Sequence, residues 1–123
     1  MSKITVNGGK PLKGRVDLKG AKNLVTKAMV AALLGDGPSQ LRNVPFISDV
    51  EIVSRLLQLH GVTITHAEDG TMDLDPSNVK SARMVDIDAH AGSSRIPILF
   101  CGPLLHQLGE AFIPGLGGCH IGD

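Results

Sequence analysis

Apolar and polar positions alternate along the first twenty residues. Ile4, Val6, Leu12, Val16 and Leu18 stand among polar neighbours on either side of the turn sequence Gly8-Gly9-Lys10-Pro11. A period of two predicts one or two strands. The period then changes. LVTKAMVAALL, 24 to 34, is apolar on nearly every side and rich in Ala, which predicts a buried helix stopped by Gly35 and Gly37. SQLRNV (39–44) reads as a short strand. Ser48 stands where an N-cap would, Glu51 completes a capping box, and Val50, Val53, Leu56 and Leu57 form the apolar stripe of a second helix that Gly61 ends. VTITHA and TMDLD flank Glu68-Asp69-Gly70, whose glycine supplies the positive φ that a tight hairpin needs. Residues 12 to 75 therefore predict strand, helix, strand, helix, strand, strand.

Past a polar connection from Pro76 to Arg83, MVDIDA (84–89) alternates again and predicts a further strand. Ser93 or Ser94 is placed to cap a helix with Pro97 in its first turn. That helix runs through ILFCGPLLHQL, with a kink expected at Gly102-Pro103 and an end at Gly109. EAFIPG (110–115) reads as a last short strand. The chain also echoes itself: VDL at 16–18 and VDI at 85–87 lie 69 residues apart, and the Leu-Leu pairs at 33–34 and 104–105 lie 71 apart. A period of this kind predicts one full structural unit and about half of a second. The half unit would leave an open strand edge and an apolar face, through which copies of the chain could associate.

Composition narrows the function classes. The 123 residues suffice for one domain at most. Twelve Lys and Arg balance twelve Asp and Glu, and there are three Phe but no Tyr or Trp, so neither the positive field nor the stacking platforms of nucleic-acid binding are present. No apolar run reaches the roughly 18 residues of a membrane span, and the start lacks the apolar block of a signal peptide. The expectation is a cytoplasmic protein with no membrane partner, in which Cys101 and Cys119 are free thiols.

Four residues stand out as candidates for chemistry. In KGAKN (19–23), Gly20 permits a close approach, Asn23 can cap a helix beginning at Leu24, and Lys22 sets an ammonium beside that helix's N-terminus. A cation there opposes the helix dipole, so Lys22 is either a solvated turn lysine or one half of an anion site. Arg95 follows 73 residues later at the matching place in the second unit, either as a surface ion-pair partner or as a second cation aimed at the same point. Cys101, inside ILFCGPLL, reads as a small core residue. Cys119 follows two glycines and precedes His120, a setting open to a catalytic thiol. His60, His66, His90 and His106 are scattered without zinc-ligand spacing, so no metal or other cofactor is expected.

Taken together, GAKN at 20–23, SDVE at 48–51, Arg95 seven residues before GPLL, and GGCHIG at 117–122 resemble the bacterial enolpyruvyl transferase family over the whole chain. The cysteine loop resembles the branch acting on UDP-N-acetylglucosamine; the shikimate-pathway branch lacks it. The resemblance implies transfer of enolpyruvyl from phosphoenolpyruvate to the 3-hydroxyl of UDP-N-acetylglucosamine with release of phosphate, a step of peptidoglycan synthesis. It implies an α/β (α+β) fold, the inside-out barrel built from βαβαββ units, of which this chain would hold about one and a half. Residues 1–20 would be a strand region belonging to a second domain, and 21–123 a partial catalytic domain.

By the same resemblance Lys22 and Asn23 would contact phosphoenolpyruvate, Arg95 the UDP-sugar, and Cys119 would be the general acid and the target of the epoxide fosfomycin. The chemistry suits those types. Addition of the sugar hydroxyl needs a proton delivered to the methylene of phosphoenolpyruvate, and a thiol of ordinary pKa, about 8.5, holds one at neutral pH. Family members are much longer, and a chain ending just after GGCHIG is expected to be a fragment, inactive alone. Two other readings stay open: a non-catalytic anion-binding or interaction module on the same fold, and an enolpyruvyl transferase with another acceptor such as shikimate 3-phosphate.

Overall fold

A computed structural model of the chain describes residues 2–83, 86–87 and 95–115. The order of elements is α1 (Lys22–Ala31), extended by a 3-10 turn (Ala32–Leu34), β1 (Ser39–Leu41), α2 (Ser48–Leu59), β2 (Thr63–His66), β3 (Met72–Asp75), a 3-10 segment (Ile96–Phe100) and α3 (Cys101–Leu108). The fold class is α/β, with helices packed on a small antiparallel sheet.

The sheet has the order β1-β3-β2, so β3 is central and lies between the two strands that precede it. Its register pairs Leu41 with Met72, Ser39 with Leu74, Ile64 with Leu74 and His66 with Met72. Met72 and Leu74 are fully buried while Asp73 faces outward, where it accepts a 2.9 Å hydrogen bond from Gln40 Nε2. This is the inside-outside alternation of a sheet covered on one face. The expected hairpin forms, with Gly70 at φ +87° and the Ala67 N–H donating to the Thr71 carbonyl at 2.8 Å. Asp69 accepts from the Thr71 N–H in the turn, which holds its carboxyl below the usual range.

α2 buries the four residues expected of it, Val50, Val53, Leu56 and Leu57. These meet Val25, Met29, Val30 and Leu33 from α1 and its extension, together with Phe100 and Leu104, in one continuous core. The end of α2 is a paired cap: Gly61 N–H donates to the Gln58 carbonyl and Val62 N–H to the Leu57 carbonyl, both at 3.0 Å. That pattern needs a left-handed residue, and Gly61 takes φ +87° with no room for a Cβ against the Asn78 carbonyl. Lys80 N–H then returns to the His60 carbonyl at 2.8 Å, tying the connection after β3 to the end of α2.

Several expectations are corrected. Residues 2–19 form no strand, and Ile4, Val6, Leu12, Val16 and Leu18 are 82% to 101% exposed. Alternation specifies a face, but a strand also needs a neighbouring edge to bond, and none of β1, β2 and β3 pairs with this segment. α1 is not buried all round, because Leu24 is 65% exposed. The caps differ as well. α1 starts at Lys22 after an extended Ala21 and α2 at Ser48 after an extended Ile47, neither with a side-chain cap, so Asn23 and Ser48 lie inside their helices and the capping box does not form.

In the second half, Asp86 and Ile87 are helical where a strand was expected, each donating its N–H to the Arg83 carbonyl; the rest of MVDIDA, and Ser93 and Ser94, lie outside the described residues. Winding changes from 3-10 to α at Cys101, and Pro103 follows in the first turn of α3, where its missing N–H costs no intrahelical bond. Gly109 ends α3 in the left-handed region as expected. Residues 110–115 form no strand, and Cys101 is a free, half-buried thiol outside the core cluster. The leucine pairs have like burial, Leu33 and Leu104 buried, Leu34 and Leu105 about half exposed, and Gln107 Nε2 donates to the Leu33 carbonyl at 2.8 Å, but residues 16–18 form no strand, and Asp86 and Ile87 are helical. Among the described residues no helix is long and apolar enough to cross a membrane.

His60 is the buried titratable group of this core. Its Nδ1 lies 2.7 Å from the Leu56 carbonyl, which can only accept, so the ring carries its proton there; its face lies against Phe100. Burial lowers its pKa from the ordinary 6.5, outweighing the opposing pull of the Leu56 carbonyl. The stability that goes with neutral His60 is fully present above 6.5, and it is lost as pH falls from there through the lower folded-state value, since the unfolded chain then binds the extra proton. Urea midpoints should therefore drop between roughly pH 7.5 and pH 5.5, and the drop should be smaller in His60→Gln, which cannot titrate. Equal drops in the two chains would refute the role given to His60.

Candidate functional site

Gly20 sets the position of everything that follows it. Its N–H donates to the Asn43 carbonyl at 2.9 Å, and a Cβ at this position would lie 2.8 Å from the same oxygen. Only a residue without a side chain comes this close. Asn43, at φ +57°, also sends its Nδ2 to the Leu18 carbonyl at 3.3 Å, and Val44 N–H donates to Gly70 of the hairpin at 2.9 Å. The hairpin thus holds the 42–45 loop, the loop holds Gly20, and α1 begins two residues later at Lys22.

Lys22, Asn23, Thr26 and Lys27 from α1 line one open cleft with Asp49 from the first turn of α2 and Arg95, Ile96, Ile98 and Leu99 at the start of the 3-10 segment. Its volume is about 260 Å³. The structure therefore brings together three of the four residues that the sequence singles out. Lys22 is the first residue of α1, and Arg95 is the residue just before the 3-10 segment. The fourth, Cys119, lies outside the described residues, as does His120.

The cleft has three cations and one carboxylate. Lys22 Nζ forms an ion pair with Asp49 Oδ2 at 3.1 Å, and Lys27 Nζ donates to the Asn23 carbonyl at 2.8 Å. Asp49 is the residue that sequence reasoning missed. It lies within SDVE, where an acid in a first turn is explained by the helix dipole alone, and its pairing depends on how α1 crosses α2. Thr26, 5% exposed, and the apolar Ile96, Ile98 and Leu99 make the rest of the lining. The arrangement suits an anion carrying a small carbon frame, since an ammonium and a guanidinium fork share the lining with aliphatic surface. Among the described residues no group of three or more His, Cys, Asp or Glu could hold a metal ion.

A second concavity, about 110 Å³, opens between α1 and the 41–45 loop; Leu24, Val25, Leu41 and Pro45 make it largely apolar, with Arg42 as its one charged lining residue. It contains none of the candidate residues.

Comparison with known proteins agrees with the family resemblance. Residues 6–122 match the family model for EPSP synthase (3-phosphoshikimate 1-carboxyvinyltransferase). Among similar proteins is the UDP-N-acetylglucosamine 1-carboxyvinyltransferase of Acidiphilium cryptum, 38% identical over 99% of this chain and 28% of that protein. The protein of the same name from Protochlamydia amoebophila is 40% identical over all of this chain and 26% of its own length. UDP-N-acetylglucosamine 1-carboxyvinyltransferase 1 of Staphylococcus aureus strain N315 is 37% identical over all of this chain and 29% of its own length. The chain spans less than a third of the length of the curated relatives it matches.

The contact at Gly20 can be tested directly. Gly20→Ala forces the 42–45 loop away from α1, and overpacking of this kind costs about 1–3 kcal/mol. A urea midpoint lowered to that extent is expected, with the helix content of the folded chain kept in its circular dichroism; an unchanged midpoint would show that the close approach is not a constraint.

Proposed function

The chain belongs to the EPSP synthase (3-phosphoshikimate 1-carboxyvinyltransferase) family, and from that membership we propose that it supplies part of a site transferring enolpyruvyl from phosphoenolpyruvate to the 3-hydroxyl of UDP-N-acetylglucosamine. Phosphate is released, and the step serves peptidoglycan synthesis. The observation that carries this reading is the convergence of Lys22, Asn23 and Arg95 on one cleft. The choice of acceptor is supported by the names of the relatives, which are UDP-N-acetylglucosamine carboxyvinyltransferases.

In this reading Lys22 meets the phosphate of phosphoenolpyruvate. Charge on the phosphate rises as the carbon–oxygen bond breaks, so a cation fixed at that oxygen stabilises the departing group more than the bound ester. Asn23, one position on in α1, contributes an amide to the same ligand. Arg95 engages the UDP-sugar, whose diphosphate matches a guanidinium fork. Cys119 is the general acid, giving its proton to the methylene carbon while the sugar hydroxyl, losing its own proton to a base, adds to the neighbouring carbon; removal of a proton from the new methyl group then re-forms the double bond as phosphate leaves. Residues 1–20, of which 2–20 form no strand here, would pair as strands with a second domain in the whole protein, a reading supported by the exposed apolar alternation of residues 2–19.

Titration calorimetry of the 123-residue chain tests the reading. Phosphoenolpyruvate and UDP-N-acetylglucosamine are expected to bind and shikimate 3-phosphate is not. Lys22→Gln should weaken phosphoenolpyruvate about 10-fold to 100-fold, the range of a hydrogen bond to a charged group. Fosfomycin should add its mass at Cys119 and not at Cys101. Binding of shikimate 3-phosphate in preference to the UDP-sugar would move the chain to the other acceptor, and labelling at Cys101 would overturn the role given to Cys119.

A further inference from the structure

The Lys22–Asp49 ion pair raises a question that the transfer reaction does not answer: the cation meant for the substrate is already occupied. The two partners are held differently. Asp49 is half-buried in the first turn of α2, where the N-terminal end of that helix stabilises a carboxylate independently of Lys22. Lys22 is 65% exposed at the first position of α1, where the dipole opposes it, and it pairs with the carboxylate of Asp49 at 3.1 Å. Losing Lys22 therefore leaves Asp49 with the α2 terminus, and losing Asp49 for a stronger anion leaves Lys22 better neutralised than before. An exchange of partners strands neither charge.

We propose that Asp49 is a displaceable internal counter-ion, holding the Lys22 ammonium in the cleft until the phosphate of an incoming ester takes the place of its carboxylate. The inference rests on the reading of the cleft as an anion site. It assigns Asp49 a positioning role with a definite sign: the carboxylate competes with the ligand instead of helping to bind it. It also gives the cleft a preference by charge. A phosphate ester carrying two negative charges outcompetes a single carboxylate for Lys22, whereas a monoanion of the same size only equals it.

The measurement is binding of phosphoenolpyruvate, and separately of inorganic phosphate, to the unaltered chain, to Asp49→Asn, to Lys22→Gln and to the double variant. An exposed ion pair sets the scale, so Asp49→Asn should bind both anions about fivefold more tightly, which is ~1 kcal/mol at 1.4 kcal/mol per tenfold. That gain should vanish in the Lys22→Gln background, because the competition acts through Lys22 alone. Asp49→Ser, which keeps a small polar residue in the first turn of α2, should reproduce the gain, and circular dichroism confirms that each variant is folded. Weaker or unchanged binding in the two Asp49 variants, or no binding of either anion to any chain, overturns the proposal. Tightening of inorganic phosphate with no preference for phosphoenolpyruvate would sink the proposed function and leave this inference standing. A clear preference for phosphoenolpyruvate with no effect of Asp49 would do the reverse.

Discussion

One backbone contact organises this molecule: the approach of Gly20 to the carbonyl of Asn43. α1 has no side-chain cap and carries a cation at its first position, so nothing within its own sequence fixes where it begins. The position comes from outside, through main-chain hydrogen bonds that Val44 N–H donates to the Gly70 carbonyl and Gly20 N–H to the Asn43 carbonyl. Main-chain bonds transmit position well because they leave few rotamers to average over. Lys22 and Asn23 inherit the rigidity of a hairpin some fifty residues downstream.

The hydrophobic core works to the same end from the other side. α2 crosses α1 with a strict stripe of four buried residues, and that crossing, not any local feature of the sequence, puts Asp49 beside Lys22. The 3-10 segment from Ile96 to Phe100 closes the arrangement, since Pro97 and Phe100 are buried while Arg95 stays at the rim of the cleft. Packing of ordinary aliphatic groups, each worth roughly 1.5–3 kcal/mol when fully buried, therefore sets the distances among charges whose own pairing contributes much less.

How much of this was legible depended on whether a feature is local. The stripe of α2, the glycine at its end and the Asp69-Gly70 hairpin follow from periodicity and from the φ of single residues, and all three are present in the structure. The one or two strands expected from residues 4–20 do not form, because alternation says which side chains share a face and nothing about where a hydrogen-bonding edge is. The capping box failed for a related reason: Ser48 and Glu51 have the right spacing, but the extended residue before the helix is Ile47, one position earlier than the box requires. In the cleft, the spacing of 73 residues suggested that Lys22 and Arg95 could share one place, and both line the same cleft. That spacing could not reveal Asp49, whose partner lies 27 positions away on a different helix.

The hydrogen bond from Gln107 to the Leu33 carbonyl spans 74 positions. The entropy of closing a loop grows only with the logarithm of its length, about 0.6 kcal/mol per doubling, so so remote a tether is hardly costlier at equilibrium than a nearer one. Its effect is on the order of events. The hairpin closes over a few residues and assembles early, whereas α3 must find a partner 74 positions away. Until it arrives, Leu33 faces water, and that interval is when neighbouring chains have their best opportunity to stick to one another.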